Sequence, residues 1–427
     1  MAALSADLAF RGLIHQVTDP SLPEKLDRER LTAYIGFDPT ADSLHVGHLL
    51  QMCNLRRLQL AGHRPIALAG GGTGMIGDPG GKSEERNLLS VEELTANVAG
   101  IRAQLERFLD FSVGASASQA LLVDNSDWLG RVSLVDFLRD TGKHFTVNQM
   151  VAKESVRARL DRPEQGISYT EFSYMLLQAY DFQQLFDAHD CRLQLGGSDQ
   201  WGNITMGIEL IRKTRQAEVF GLTTSLLLKA DGTKFGKTES GAVWLDARRT
   251  SPYQLYQYFL RTEDATVGTV LRMLTFLDHD TIGALDAETA EHPERREAQR
   301  ALAHEVCSLV HGETEAVRAE EAARALYSEE IASLDEHTLL EVCADAPTST
   351  LARAEIESGM SLVDALVLAG LAPSKGRART TITQGGAYVN NRRVREPDAR
   401  LGSEDLLFGR HLVLRRGQRD YHLLRFE

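Results

Sequence analysis

Short apolar runs separated by helix-length stretches of mixed character organise the first half of the chain. Leu31–Phe37 reads as a buried strand, and a helical pattern follows from about His45 to Leu60. Pro65–Ala69, Leu121–Val123 and Arg192–Leu195 repeat the short apolar signature, with helical periods such as Thr170–Phe186 and Asn203–Lys213 between them. Alternation of this kind predicts an α/β fold with a doubly wound parallel sheet. Ligands on such sheets bind beyond the carboxyl ends of the strands, so the residues just after each run are where chemistry is expected.

After Pro252 the pattern turns helical, with little strand character as far as Cys343. Arg295–Ala325 alternates acids and bases on a helical period, the mark of a solvated helix face. Asp345-Ala346-Pro347-Thr348-Ser349-Thr350 is a polar, proline-containing break and reads as a linker. Beyond it a small α+β segment is expected. It has a helical Ser361–Ala369, a basic Lys375–Thr383, a turn at Gly385-Gly386, and Tyr388–Val394 as a hairpin turning at Asn390-Asn391. The expected division is an α/β domain over 1–248, an α-helical domain over 250–345 and a small domain over 360–427, with no internal repeat.

A length of 427 residues fits two or three domains, and 43% hydrophobic with 25% charged residues is a globular composition. No run of about 18 apolar residues exists to span a membrane, and Asp7 and Arg11 make the N-terminal stretch a poor export signal. The scattered Cys53, Cys191, Cys307 and Cys343 have no CxxC spacing and read as free thiols of a reducing cytoplasm. A net charge of −13 argues against a polyanionic partner until its distribution is seen. Met360 to Glu427 carries 12 Lys and Arg against 7 Asp and Glu, whereas the rest of the chain carries 35 against 53. A basic module on an acidic body is the asymmetry expected where one end meets phosphate backbones.

Candidate chemistry falls at the strand ends. His45 and His48, three apart, share one face at a helix start, where backbone N–H groups and imidazoles would meet a phosphate; Thr40 adds a hydroxyl upstream. A capped helix with incidental histidines is the bland alternative, and no third His, Cys or Glu completes a zinc set. Gly72, Gly74 and Gly77 satisfy G-x-G-x-x-G, but Asp78-Pro79-Gly80-Gly81 opposes the helix that a dinucleotide fold requires there. The same loop is no Walker A motif, because Ile76 occupies the required glycine position. A glycine-lined wall presenting Asp78 is the better reading.

Tyr174, Gln178 and Asp181 project from one side of a helix, toward water or a polar cavity. Tyr34 on the first strand could join them at a ligand hydroxyl. Gly196-Gly197-Ser198-Asp199-Gln200 ends a strand, where Asp199 suits a ribose and Gln200 a carboxylate or carbonyl. Lys234 and Lys237 flank Gly236 in a loop bounded by further glycines, either a lid for phosphates or a solvated basic turn.

Taken in order, these motifs resemble the bacterial tyrosyl-tRNA synthetases of class I, from end to end. His45-Val46-Gly47-His48 matches the class signature His-Ile-Gly-His, and Lys234–Thr238 matches the Lys-Phe-Gly-Lys-Thr form of its lysine loop. Gly77-Asp78-Pro79, Tyr174–Asp181 and Gly196–Asn203 are more family-specific still, and the tail looks like an S4-type RNA-binding domain. The resemblance implies a Rossmann-like catalytic domain that activates L-tyrosine with ATP and Mg2+ and then charges tRNA(Tyr), as a cytoplasmic homodimer.

It further implies that Tyr34 and Asp181 bind the phenol, and that Asp78, Tyr174 and Gln178 hold the ammonium group. Thr40, His45, Lys82, Arg86, Lys234 and Lys237 would act on the phosphates. Gly36, Asp38, His48, Asp199 and Gln200 would lie on the nucleoside and carbonyl side. Lys375, Arg377, Arg379, Arg392 and Arg393 are the RNA-binding candidates. Gly72 and Gly80 stand where relatives often have Ala and Ser, and Ile35 lacks a polar side chain that some relatives direct at the ribose. Gln51 receives no role. A tryptophan-specific relative, which would have no use for a Tyr34–Asp181 pair, and an RNA-binding regulator on the same scaffold are the alternatives.

Overall fold

The computed structural model describes residues 3–78, 89–112, 118–153, 156–157, 160, 166–228, 232–233, 235–238, 241–325, 328–344, 346–417 and 420–427. These divide into two compact units, one of Met1–Thr250 with Phe259–Val310, the other of Ser251–Tyr258 with His311–Glu427. The helices expected as one segment over 250–345 are thereby shared between both units. The charged stretch Arg295–Ala325 is also two helices, Glu297–His311 and Glu313–Ala325, broken at Gly312 with φ +93°.

The first unit is built on a six-stranded sheet. Its strands are β1 (Gln16–Val17), β2 (Thr32–Phe37), β3 (Arg64–Ala69), β4 (Leu121–Asp124), β5 (Cys191–Gly197) and β6 (Phe220–Thr224). Their spatial order is β1-β6-β5-β2-β3-β4, parallel throughout except for β1, which pairs antiparallel with β6. The four expected strands are present, and β1 and β6 are additions. The order reverses between β5 and β2, so the crevice beyond their carboxyl ends is the place such a sheet offers a ligand.

Two helices carry the side chains that line this crevice. Val46–Leu60 follows β2 and begins at His45, whose side chain caps it. Tyr169–His189 begins at Ser168, whose hydroxyl accepts from the Glu171 N–H, and stops where Asp190 turns left-handed at φ +48°. Phe182 and Leu185 of this helix pack with Tyr34, Ile66 and Leu68 from the sheet, fixing its inward face.

In the second unit, Ala387–Val389 and Arg392–Val394 form the expected hairpin, with Asn390 and Asn391 at φ +47° and +61°. Both values suit the two-residue turn that right-handed strand twist favours. The hairpin belongs to a five-stranded sheet that includes Thr348–Leu351, paired in parallel with Asp420–Phe426. The predicted linker is therefore partly a strand. Its polar alternation Thr-Ser-Thr carries an edge strand, and Ala346 packs beside the buried Ile331, Leu339 and Cys343.

Candidate active site

The polar stripe on the Tyr169–His189 helix points inward. Asp181 is 2% exposed, with Asn125 Nδ2 donating to its Oδ2 at 2.9 Å and Trp128 Nε1 donating to its Oδ1 at 2.7 Å. Burial pushes this carboxyl up to about 7, against the pull of those two donors; the carboxylates of Asp38 and Asp124 add to the rise. Tyr34 is 1% exposed, its phenol is pushed up by burial and by Asp181, and its hydroxyl has no hydrogen-bond partner among the described residues. A buried hydroxyl without a partner costs about 1–3 kcal/mol, so a fold keeps one where a ligand completes it.

Two hydrogen-bonded chains are formed here, and only the first includes Asp181. Asn125 also donates to Thr73 Oγ1 at 2.9 Å and accepts from the Gly72 N–H at 2.8 Å; Thr73 and Tyr174 each donate to Asp38, at 3.4 and 3.3 Å. Along the other wall Asn203 donates to Gln178 at 2.9 Å, Gln178 to Gln200 at 3.2 Å, and Gln200 to Asp78 at 2.7 Å. Asp38, Tyr174 and Asp181 are thus brought into one connected chain and Asp78, Gln178 and Gln200 into another, while Tyr34 stands outside both. Asp199 lies in the turn after β5, where Gly197 lacks the Cβ that would meet its carboxylate. Gly36 and Thr40 lie exposed around the end of β2.

Sequence reading missed Thr73, Asn125, Trp128 and Asn203. Asn125 and Trp128 directly follow β4, so the strand-end rule that found the other motifs had pointed at them too. Tyr174 touches Asp38, a residue expected on the nucleotide side.

At the mouth, His45 Nδ1 accepts from the Gly47 N–H at 3.0 Å, and His48 Nδ1 accepts from the His45 N–H at 3.2 Å. Both neutral rings therefore carry their proton on Nε2 and act as donors there. Gly47 is required by this cap, since a Cβ would lie 2.7 Å from His45 Cε1. The lysine motif meets the same helix start. Gly236, at φ +91°, is so close that a Cβ would stand 2.9 Å from the Gly47 nitrogen. Val46 N–H donates to Val243 O and Leu245 N–H to Leu44 O, both at 2.9 Å, zipping the segment after the loop onto the residues around His45. Lys82, Arg86 and Lys234 lie outside the described residues, and of Lys237 only the backbone, in the short strand Lys237–Thr238, is described.

A family model described as tRNA synthetases class I (W and Y) matches residues 26–328, and one described as the tyrosine–tRNA ligase SYY-like C-terminal domain matches residues 339–424. A tyrosine–tRNA ligase of Roseiflexus castenholzii is 55% identical over 426 residues, covering 100% of both chains. One from Geobacillus stearothermophilus is 51% identical over 425 residues, 99% of each. The chain belongs to the tyrosine–tRNA ligase family of class I synthetases. A C-terminally truncated mitochondrial tyrosyl-tRNA synthetase of Aspergillus nidulans superposes with a TM-score of 0.68 at 33% identity, covering 77% of this chain and 95% of that one. The tryptophanyl-tRNA synthetase of Plasmodium falciparum, at 15% identity and a TM-score of 0.54, shares the fold.

The basic tail of this synthetase has its own pattern. The helix Lys375–Thr383 buries Ala378 and Ile382, which leaves Lys375, Arg377 and Arg379 exposed; Lys375 pairs with Asp364 at 2.7 Å. Arg392 and Arg393 are exposed on the hairpin, and Arg393 donates to the Tyr388 hydroxyl at 2.7 Å. The guanidinium of Arg415 lies 3.8 Å from the centre of the same tyrosine ring and is buried, so it braces Tyr388 from beneath the exposed arginines.

Proposed function

We propose that the tyrosine–tRNA ligase reaction of this family runs through the crevice between β2, β5 and the Tyr169–His189 helix. Tyr34 and Asp181 bind the phenol hydroxyl, and Asp78, Tyr174 and Gln178 hold the ammonium group. Gln200 orients the carboxylate, while Gly36, Asp38 and Asp199 border the nucleoside. One observation carries this reading: a deeply buried carboxylate beside a deeply buried hydroxyl that lacks a partner among the described residues. A phenol accepts from Tyr34 and donates to Asp181 at once. Phenylalanine leaves both unmatched, at about 1–3 kcal/mol each.

In the first step a tyrosine carboxylate oxygen bonds to the α-phosphorus of ATP, and the bond to the β-bridging oxygen breaks in line. Pyrophosphate leaves with the electron pair. The nucleophile is already ionised at neutral pH, so no general base is needed, and the protein's task is positioning and neutralising charge on the leaving phosphates. Thr40, His45, His48, Lys82, Arg86, Lys234 and Lys237 do this work, the imidazoles through their Nε2 donors. Magnesium arrives with the ATP phosphates as part of the substrate. In the second step a terminal ribose hydroxyl of the tRNA attacks the tyrosyl carbonyl, and AMP departs. The exposed arginines of the second unit contact the tRNA phosphates.

Leu134, Val135, Val147 and Tyr169, all more than 60% exposed, lie on the helices around the Phe137–Phe145–Met150 core. An apolar surface of that kind supports a homodimer. Four buried free cysteines support a cytoplasmic, reducing setting. Among the described residues no helix is long and apolar enough to cross a membrane. Pyrophosphate exchange into ATP, assayed with each of the twenty amino acids, tests the assignment. Tyrosine alone should support it, and an inert protein or equal activity with tryptophan refutes it.

A further inference from the structure

The lysine motif is followed by a segment that touches the histidine helix through side chains as well as backbone. The Trp244 indole stands edge-on to the His45 imidazole, with ring centres 6.0 Å apart at 68°. On another side His45 meets His48, centre to centre at 4.0 Å. Trp244 is held in turn: its backbone N–H donates to Thr250 Oγ1 at 3.0 Å, and the Arg249 guanidinium lies 4.5 Å from its ring centre. Arg249 Nη2 reaches Asp42 Oδ1 at 2.5 Å, an ion pair formed by approach rather than by an aligned hydrogen bond. Asp42 lies three residues before His45. A closed circuit of Asp42, Arg249, Trp244 and His45 therefore surrounds the start of the helix, joined by the antiparallel bridge between His45 and Trp244.

Such a circuit restrains one ring. The cap from Gly47 fixes the rotation of the His45 imidazole, and the flanking rings limit its tilt. A donor aimed at a developing phosphate charge contributes most when it is already in place, and small displacements cost large factors in rate. The neighbouring Val243 donates its backbone N–H to Gly236 O at 3.1 Å, which ties this segment to the lysine motif. We propose that Trp244, braced by Arg249 and Asp42, is a positioning residue that aligns His45 for the ATP phosphates and couples that alignment to the lysine loop. The proposal rests on the reading of His45 as a phosphate contact.

Pyrophosphate exchange by the full chain tests it. Trp244→Leu should lower kcat about tenfold or more while the tyrosine KM stays within about twofold, and Trp244→Phe should recover most of the loss. Arg249→Met changes an exposed side chain. It should lower kcat about threefold alone and add nothing in the Trp244→Leu background, because it acts through the indole. Normal kcat in both single variants overturns the proposal. So do additive losses, or a kcat loss matched by a rise in tyrosine KM that Phe does not repair. His45→Ala separates the two levels. If it is harmless in an active enzyme, the reading of His45 falls. If it is crippling while Trp244→Leu is silent, only the positioning role falls.

Discussion

The two ends of the crevice are built from different kinds of backbone. At the ring end, Asp181 sits in the middle of a 21-residue helix, buried, with both oxygens occupied by donors from a second element. At the proposed phosphate end, His45 is the cap residue of a helix, and Gly236 of the lysine motif packs against Gly47 at that helix start. The first arrangement can only accept or reject a shape. On the proposed roles, discrimination falls to a buried helix face, and transition-state stabilisation falls to a helix terminus and the motif packed against it.

That contrast breaks first at the lysine loop. Lys237→Ala should lower the rate of adenylate formation about 10²–10³-fold with little change in tyrosine binding, the effect of losing one oriented charge on a leaving group. A comparable rise in the tyrosine dissociation constant would show that the ends are not separate. The converse change is Asn125→Ala, which removes a donor to Asp181. About 1–3 kcal/mol of tyrosine binding should be lost, with a reduced preference for tyrosine over phenylalanine. Unchanged selectivity would remove Asn125 from the ring end.

The elevated Asp181 carboxyl gives the ring end a pH signature. In the folded chain it stays protonated up to about pH 7, whereas the unfolded chain releases that proton near 3.8. Folding takes up a proton between those values, so this group's contribution falls as pH rises from about 4 to about 7 and is level above. Asp181→Asn should remove that slope. The variant should match the parent near pH 4 and exceed it by a few kcal/mol at pH 8, while binding tyrosine less well. Denaturation at the two pH values decides it, and an equal difference at both would contradict the burial argument. The smallest effect on either end of the crevice is expected from removing residues 311–427. Both ends lie in the first unit, so exchange should persist near its parental rate while tRNA charging is lost. Parental charging by the truncated chain would refute the RNA role of the second unit.

Much of this was legible because each motif carries its own physics. A parallel strand followed by a glycine turn announces a ligand-facing end, and the Asn390-Asn391 turn announces a hairpin. The unread parts lacked a local signal. β1 is two residues long and exists only because β6 offers it an edge. Thr348–Leu351 looks like a linker because an edge strand need bury little. Asn125 and Trp128 stood in a position the strand-end rule covers, but nothing in their own sequence says that they meet Asp181.

The sequence alone determined the alternation of strands and helices, the residue types at the strand ends and the basic tail, since these depend on periodicity, turn chemistry and charge over short distances. Only the tertiary structure decided which polar groups share a bond. It turned Asp181 from one position on a helical stripe into a buried acid held by Asn125 and Trp128. It also set Gly236 against Gly47 across nearly two hundred residues of chain. Burial and long-range contact fix these properties, and neither is written in any local stretch of residues.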